Sequence, residues 1–189
     1  FNENMLANVL DLRDRVLAPD GRVLPAKFRL FMEPVSMRPD MRVRRFHNIE
    51  LPDEIDLAAM EGSVALAPYE TDRFEQFWAR PGSVATTIGT PHPLIEFDLA
   101  TLEGPDALAR HHEFERVASA DAVVDGVCVW FEAEFDDSTV LTTSPLAPNT
   151  SWQNRMYRLD REIHLGETLA LTVDMERLVD ATTWSVRAS

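Results

Sequence analysis

The chain has 189 residues, 45% of them apolar and 26% charged, with a formal net charge of −14. That is the make-up of one good-sized globular domain with its own core. A strongly acidic balance excludes nucleic acid as the natural partner, because phosphates want a basic face, and it favours a cationic one. A single cysteine, Cys128, excludes an internal disulfide framework and a cysteine zinc site, and fits a reducing, cytoplasmic setting.

The charge is uneven. The 18 Lys and Arg divide equally between residues 1–45 and the remainder, but only six of the 32 Asp and Glu lie in the first part. No apolar run approaches a membrane span of about 18 residues, so no membrane partner is expected. No basic stretch followed by an apolar one opens the chain as a signal peptide would. The first residue is Phe1, and the expectation is that a longer parent protein precedes it.

Met5, Leu6, Val9, Leu12 and Val16 recur at helical spacing, and Pro19-Asp20-Gly21 then makes a turn. A strand follows, with Phe28, Leu30 and Met32 alternating against Lys27, Arg29 and Phe31. Arg38, Arg42, Arg44 and Arg45 form a basic cluster of the kind that guards a strand edge. Residues 46–82 break the strand pattern. "LPDEIDLAAMEG" reads as a short helix, with Pro52 in its first turn and Gly62 at its stop. "YETDRFEQFWARPG" reads as a second, in which Phe74, Phe77 and Trp78 share one face at i, i+3, i+4. That face packs on the chain's own core or docks on a partner subunit; both readings stay open.

From Ser83 onward the pattern is short strands separated by turns, which predicts an antiparallel barrel or sandwich. In the longest, "VDGVCVWFEAEFDD", Val127, Val129, Phe131, Ala133 and Phe135 share one face and Cys128, Trp130, Glu132 and Glu134 the other. The "HHEFE" run puts His111, Glu113 and Glu115 on one side of a strand, but nothing else in the sequence supports a metal, and none is expected. The seven glycines stand apart, with no G-x-G after a strand and no G-x-S-x-G elbow. No cofactor is therefore expected on this chain.

"FNENMLANVLDLRDRVLAPDGRVLP" resembles the segment that leaves the catalytic domain of protein arginine N-methyltransferases. The match runs through Glu3-Asn4-Met5-Leu6, Leu12-Arg13-Asp14, Gly21 and Pro25. "GVCVWFEAEF" and "LTTSPLAPNTSWQNRMYRL" resemble a barrel strand of that family, its Ser-Thr-Ser-Pro turn and its Thr-His-Trp loop. Gln153 and Gly166 fall where that family has them, and "EIDLAAM" resembles part of its dimerisation arm.

The resemblance implies a mainly β fold: an antiparallel β-barrel over 21–45 and 83–189, a connecting helix over 1–20, and a helical dimerisation arm over 46–82. It implies that Glu3 is the second of two glutamates gripping a substrate guanidinium, the first lying before Phe1 with the S-adenosylmethionine site. Thr150, Ser151 and Trp152 would close the pocket from the barrel side, and Phe74, Phe77 and Trp78 would serve dimerisation. The partners implied are an arginine-containing protein or peptide substrate and a second copy in a full-length parent. Ser151 departs from the pattern: it stands where the family has a histidine. The chain alone is expected to be inactive. The rival expectation is a non-catalytic interaction or dimerisation module, and a third, a small-ligand barrel, would require an apolar cavity.

Overall fold

The computed structural model describes residues 4–43, 75–147 and 152–189. Among the described residues one α-helix, α1 (Met5–Val16), precedes ten strands: β1 (Lys27–Met37), β2 (Gln76–Ala79), β3 (Val84–Thr87), β4 (Ile95–Asp98), β5 (His111–Val117), β6 (Ala122–Asp136), β7 (Thr139–Thr142), β8 (Asn154–Ile163), β9 (Thr168–Met175) and β10 (Trp184–Ala188). All pairings are antiparallel, so the expectation of a mainly β, antiparallel fold holds. Among the described residues no helix is long and apolar enough to cross a membrane.

Among the described residues no closed barrel is found. The strands form a seven-stranded sheet, ordered β2-β8-β6-β1-β3 with β4 on β1 and β7 on β6, and a separate three-stranded sheet, β10-β9-β5. Among the described residues no ladder joins β2 to β3. Yet these two ends of the order are linked by only residues 80–83, a reach of at most about 18 Å. The connection is a tight turn in which the Ser83 amide donates to the Arg80 carbonyl at 3.0 Å. Pro81 leads the turn and Gly82, at φ 74°, takes the position that requires positive φ. The large sheet must therefore curl until its edges come close, without sharing a backbone ladder.

Two apolar clusters follow from strand alternation. Phe31, Val35, Met37, Ala79, Val84, Cys128, Trp130 and Met156 come from β1, β2, β3, β6 and β8 and fill one side of the curled sheet. On the other side Leu30, Met32, Val127 and Tyr157 meet Leu169, Leu171, Val173 and Met175 of the small sheet and Leu6 and Leu10 of α1. The expected division of β6 into two faces is seen, with Val127 in the second cluster and Cys128 and Trp130 in the first. A bulge at Asp125, where the β6–β8 register shifts, also turns Val124 toward the face of Val127.

The helix is rotated from its expected face. Leu6 and Leu10 are buried, while Met5, Leu12 and Val16 are exposed. Arg13 fixes that rotation by donating from Nη1 to the carbonyls of Leu99 and Leu102, 2.7 Å each. Pro19-Asp20-Gly21 is a turn, closed by Gly21 N–H donating to Ala18 O at 2.8 Å.

Residues 76–79 correct the second helix. They form β2, in register with β8 from Gln76↔Tyr157 to Ala79↔Asn154. Aromatic residues suit a pleated surface, and pairing with a distant strand overrides local helical spacing. Phe77 and Trp78 are adjacent on a strand and so face opposite ways. Phe77 packs against the first cluster, while Trp78 is 47% exposed. Phe74, the "LPDEIDLAAMEG" helix, Arg44 and Arg45 lie outside the described residues, as do Glu3, Thr150 and Ser151.

Candidate functional site

Of the residues expected to form the substrate pocket, the structure describes Trp152. Its loop is anchored at both roots. The Phe131 amide donates to Thr143 Oγ1 at 3.0 Å, and the Thr143 amide donates to Phe131 O at 2.9 Å. Buried Asn154 donates from Nδ2 to the carbonyls of Val129 and Thr143, at 3.1 and 2.9 Å. Within the turn, Ser144 N–H donates to Thr142 Oγ1 at 3.1 Å and Leu146 N–H to Ser144 Oγ at 3.3 Å. The Thr-Thr-Ser-Pro run is thus a hydroxyl-capped turn that cannot drift from the end of β6.

The indole is half-exposed and stands edge-on to Phe131, with ring centres 5.8 Å apart and planes at 76°. Phe131 stacks on Phe28 at 5.0 Å, and Phe28 on Phe97 at 5.5 Å. This aromatic row crosses β6, β1 and β4. Phe97 belongs to the same cluster as Leu99, Leu102 and the buried face of α1. Trp152 and the helix that Glu3 precedes are thereby joined through one continuous apolar surface. A half-exposed indole set against Phe131 can offer a flat wall to a planar cation.

The aromatics assigned to dimerisation carry cations of their own. Arg155 lies over the Trp78 ring and Arg158 over the Phe77 ring, each 4.6 Å from the centroid. Arg155 also donates to Gln76 Oε1 at 2.7 Å.

A polar cleft of about 450 Å³ lies elsewhere, lined by Thr86, Thr87, Thr90, His92, Arg116 and Ser119 among others. Trp152 is not part of its lining. Arg116 grips fully buried Glu33 with two bonds, Nε to Oε2 at 2.6 Å and Nη2 to Oε1 at 2.5 Å, and the His92 amide donates to Oε1 at 2.8 Å. Sequence reading missed this pair, whose members lie 83 positions apart.

The "HHEFE" run does not gather ligands. His111 bonds Asp174 at 2.6 Å, and His112 turns to the Ala109 carbonyl at 3.0 Å. Among the described residues no three His, Cys, Asp or Glu side chains are placed to hold a metal. Burial pushes the Cys128 thiol well above its usual range, which leaves it a protonated core residue.

Comparison with known proteins adds the rest. The pattern of the arginine methyltransferase oligomerization subdomain matches residues 32–183. Protein arginine N-methyltransferase 6 of Xenopus tropicalis is 24% identical over 183 residues, covering 92% of this chain and 51% of that protein. The arginine N(omega)-methyltransferase of Streptomyces achromogenes subsp. streptozoticus is 31% identical over 178 residues, covering 90% of this chain and 44% of that one. In fold, the chain is similar to the Trypanosoma brucei PRMT1 enzyme-prozyme heterotetrameric complex with AdoHcy, with TM-score 0.69 and 20% identity over 98% of this chain and 58% of the other. A PRMT6-SAH crystal structure gives 0.64 and 20%, covering 100% and 64%. The chain spans about half the length of the curated relatives it matches.

Proposed function

Because the chain belongs to the arginine methyltransferase oligomerization subdomain family, we propose that it is the β-rich half of a protein arginine methyltransferase, supplying one wall of the substrate pocket and the means of self-association. The observation that carries this reading is the aromatic row that holds Trp152 at its edge and leads to the α1 surface. S-adenosylmethionine does not fit this chain's own residues. None of its seven glycines forms a phosphate-type loop, and the described residues contain no parallel strand-helix-strand unit that would cradle a nucleoside. In this reading the cofactor, and the methyl transfer itself, belong to the part of the relatives that the chain does not span.

This chain's role is then positional. A guanidinium keeps its proton at any physiological pH, so catalysis depends on aiming one nitrogen at the methyl donor. Glu3 takes two of its N–H groups, and Thr150, Ser151 and Trp152 close the opposite side. The indole gives the cation an apolar, quadrupolar face.

The test is Trp152→Ala and Trp152→Phe in a parent that methylates an arginine-containing peptide. Alanine is expected to lower kcat/KM roughly tenfold or more, with phenylalanine retaining most activity. The melting temperature should fall only by the few degrees that one edge-to-face ring pair, about 1 kcal/mol, supports. A folded alanine variant with unchanged kcat/KM overturns the assignment. The second reading, a non-catalytic interaction module, is favoured by Ser151 in place of the family's histidine. A parent that self-associates but transfers no methyl group to any arginine peptide supports that reading instead.

A further inference from the structure

β1 ends at Met37 and β2 begins at Gln76; the connection is described as far as Val43, the outgoing limb, and again from residue 75, the returning limb. Arg158, on β8, touches both limbs. Its side chain is only 3% exposed. Nη1 donates to the Val43 carbonyl at 2.8 Å, on the outgoing limb. Its Cζ lies over the ring of Phe77, on the returning limb, 4.6 Å from the centroid. The same Nη1 reaches Asp160 Oδ1 at 3.3 Å.

A second charged contact holds the outgoing limb one residue earlier. Asp125 is buried at the β6 bulge. Its Oδ2 accepts from the Met37 amide at 2.6 Å, and its Oδ1 faces Arg42 Nε at 2.9 Å. The bulge is held in place by Gly126, opposite Arg158 in the ladder. A Cβ there would meet the Tyr157 carbonyl oxygen at 2.3 Å. Backbone and side chain thus cooperate to present Asp125 and Arg158 to one spot.

We propose that Arg158, with Asp125, is a positioning clamp: it fixes both roots of the 44–74 segment against the sheet and so sets the geometry of self-association. The proposal rests on reading residues 46–74, the part of the expected 46–82 arm that precedes β2, as the oligomerisation arm. Apolar burial alone would tolerate some sliding of the two limbs. A buried guanidinium does not, because its planar donors accept few geometries and its charge is costly to leave unpaired. The limbs already share apolar contacts around Met37 and Ala79, and the Arg38 amide donates to Ser83 O at 2.8 Å; Arg158 adds to these a buried charged contact with both.

The experiment uses the natural protein that contains this chain. Arg158→Met keeps bulk against Phe77 and removes the donor and the charge. Arg158→Lys keeps the charge and a donor able to reach Val43. Replacement of residues 46–74 by a flexible Gly/Ser linker tests the underlying arm reading. Self-association is measured by sedimentation across a dilution series, and folding by thermal melts. Arg158→Met is expected to raise the dissociation constant roughly tenfold or more, with Arg158→Lys, which keeps the charge but not the planar fork, recovering only part of it, and a melting temperature that does not track the change. Should Arg158→Met fail to fold, Phe77→Leu removes the ring contact alone and is expected to weaken association in the same direction. A folded Arg158→Met, or Phe77→Leu in its place, that associates as tightly as the native protein while the linker variant is monomeric overturns the clamp and leaves the arm reading standing. A linker variant that associates normally overturns both.

Discussion

Glu33 is the most demanding residue in the fold, since a carboxylate with no solvent contact must be satisfied from within. Arg116 supplies two of the three hydrogen bonds to it that the structure shows. Replacing Arg116 by methionine keeps most of the volume and leaves the carboxylate with the His92 amide alone. Breaking such a pair from one side costs about 3–5 kcal/mol, because a buried charge is left uncompensated. Domains of this kind have about 5–15 kcal/mol in total. For a chain of this length each kcal/mol moves the melting temperature by about 2–4 °C, so the expected loss is roughly 6–20 °C. Adding Glu33→Gln removes the stranded charge while keeping an acceptor for the His92 amide, and should recover most of the loss. The assay is calorimetry at neutral pH, with urea titrations for the free-energy difference. A single variant within about 2 °C of the native protein, or a double variant less stable than the single, would refute the reasoning.

Gly126→Ala should lose about 1–3 kcal/mol or more in urea unfolding, because the added carbon meets backbone, while Gly104→Ala, with open space around it, should change little. The Asp174 carboxylate raises the His111 pKa above its ordinary value. The stabilisation this gives is complete below an unfolded pKa of about 6.5 and is lost as pH rises through the higher folded value. Melting temperatures taken from about pH 6 to about pH 8 should therefore fall more in the native protein than in His111→Gln, and parallel curves would dismiss the pairing as a contributor.

What the sequence showed and what it hid divide along a physical line. The two faces of β6 were legible because period-two alternation continues unbroken from Val127, and the Pro19–Gly21 turn because its residues dictate their own backbone angles. The bulge was not legible. Asp125-Gly126 looks like a turn signal, and only the close approach of the Tyr157 carbonyl shows why glycine is required inside a ladder. The strand β2 was hidden because four residues are too few to separate a period of two from one of 3.6. Its partner, β8, begins 78 positions later. The face of α1 was misread because two apolar stripes compete on one wheel, and the carbonyls that orient Arg13 belong to a loop about 90 residues away. The candidate site rests on resemblance. Nothing local distinguishes Trp152 from any loop anchor, and Glu3, Thr150 and Ser151 lie outside the described residues.

The division of charge along the chain has a structural explanation that composition cannot give. Residues 1–45 look like a basic pole attached to an acidic body, but β1 lies between β4 and β6, and its cations meet their carboxylates. Arg29 lies 2.5 Å from Glu96, 2.8 Å from Glu134 and 3.9 Å from Glu132, and Lys27 lies 3.6 Å from Glu134. Arg42 meets Asp125. Partly exposed pairs of this sort add at most about 1 kcal/mol each, so they are a poor account of stability. They are a better account of register. Arg29 stands directly opposite Glu96 on one side and Glu132 on the other, and a slip by one residue would place Phe28 or Leu30 there instead. Register along β1 in turn fixes Phe28 between Phe97 and Phe131. The exposed charge ladder on one face of the sheet therefore holds in line the aromatic row on the other, and with it the edge from which Trp152 projects.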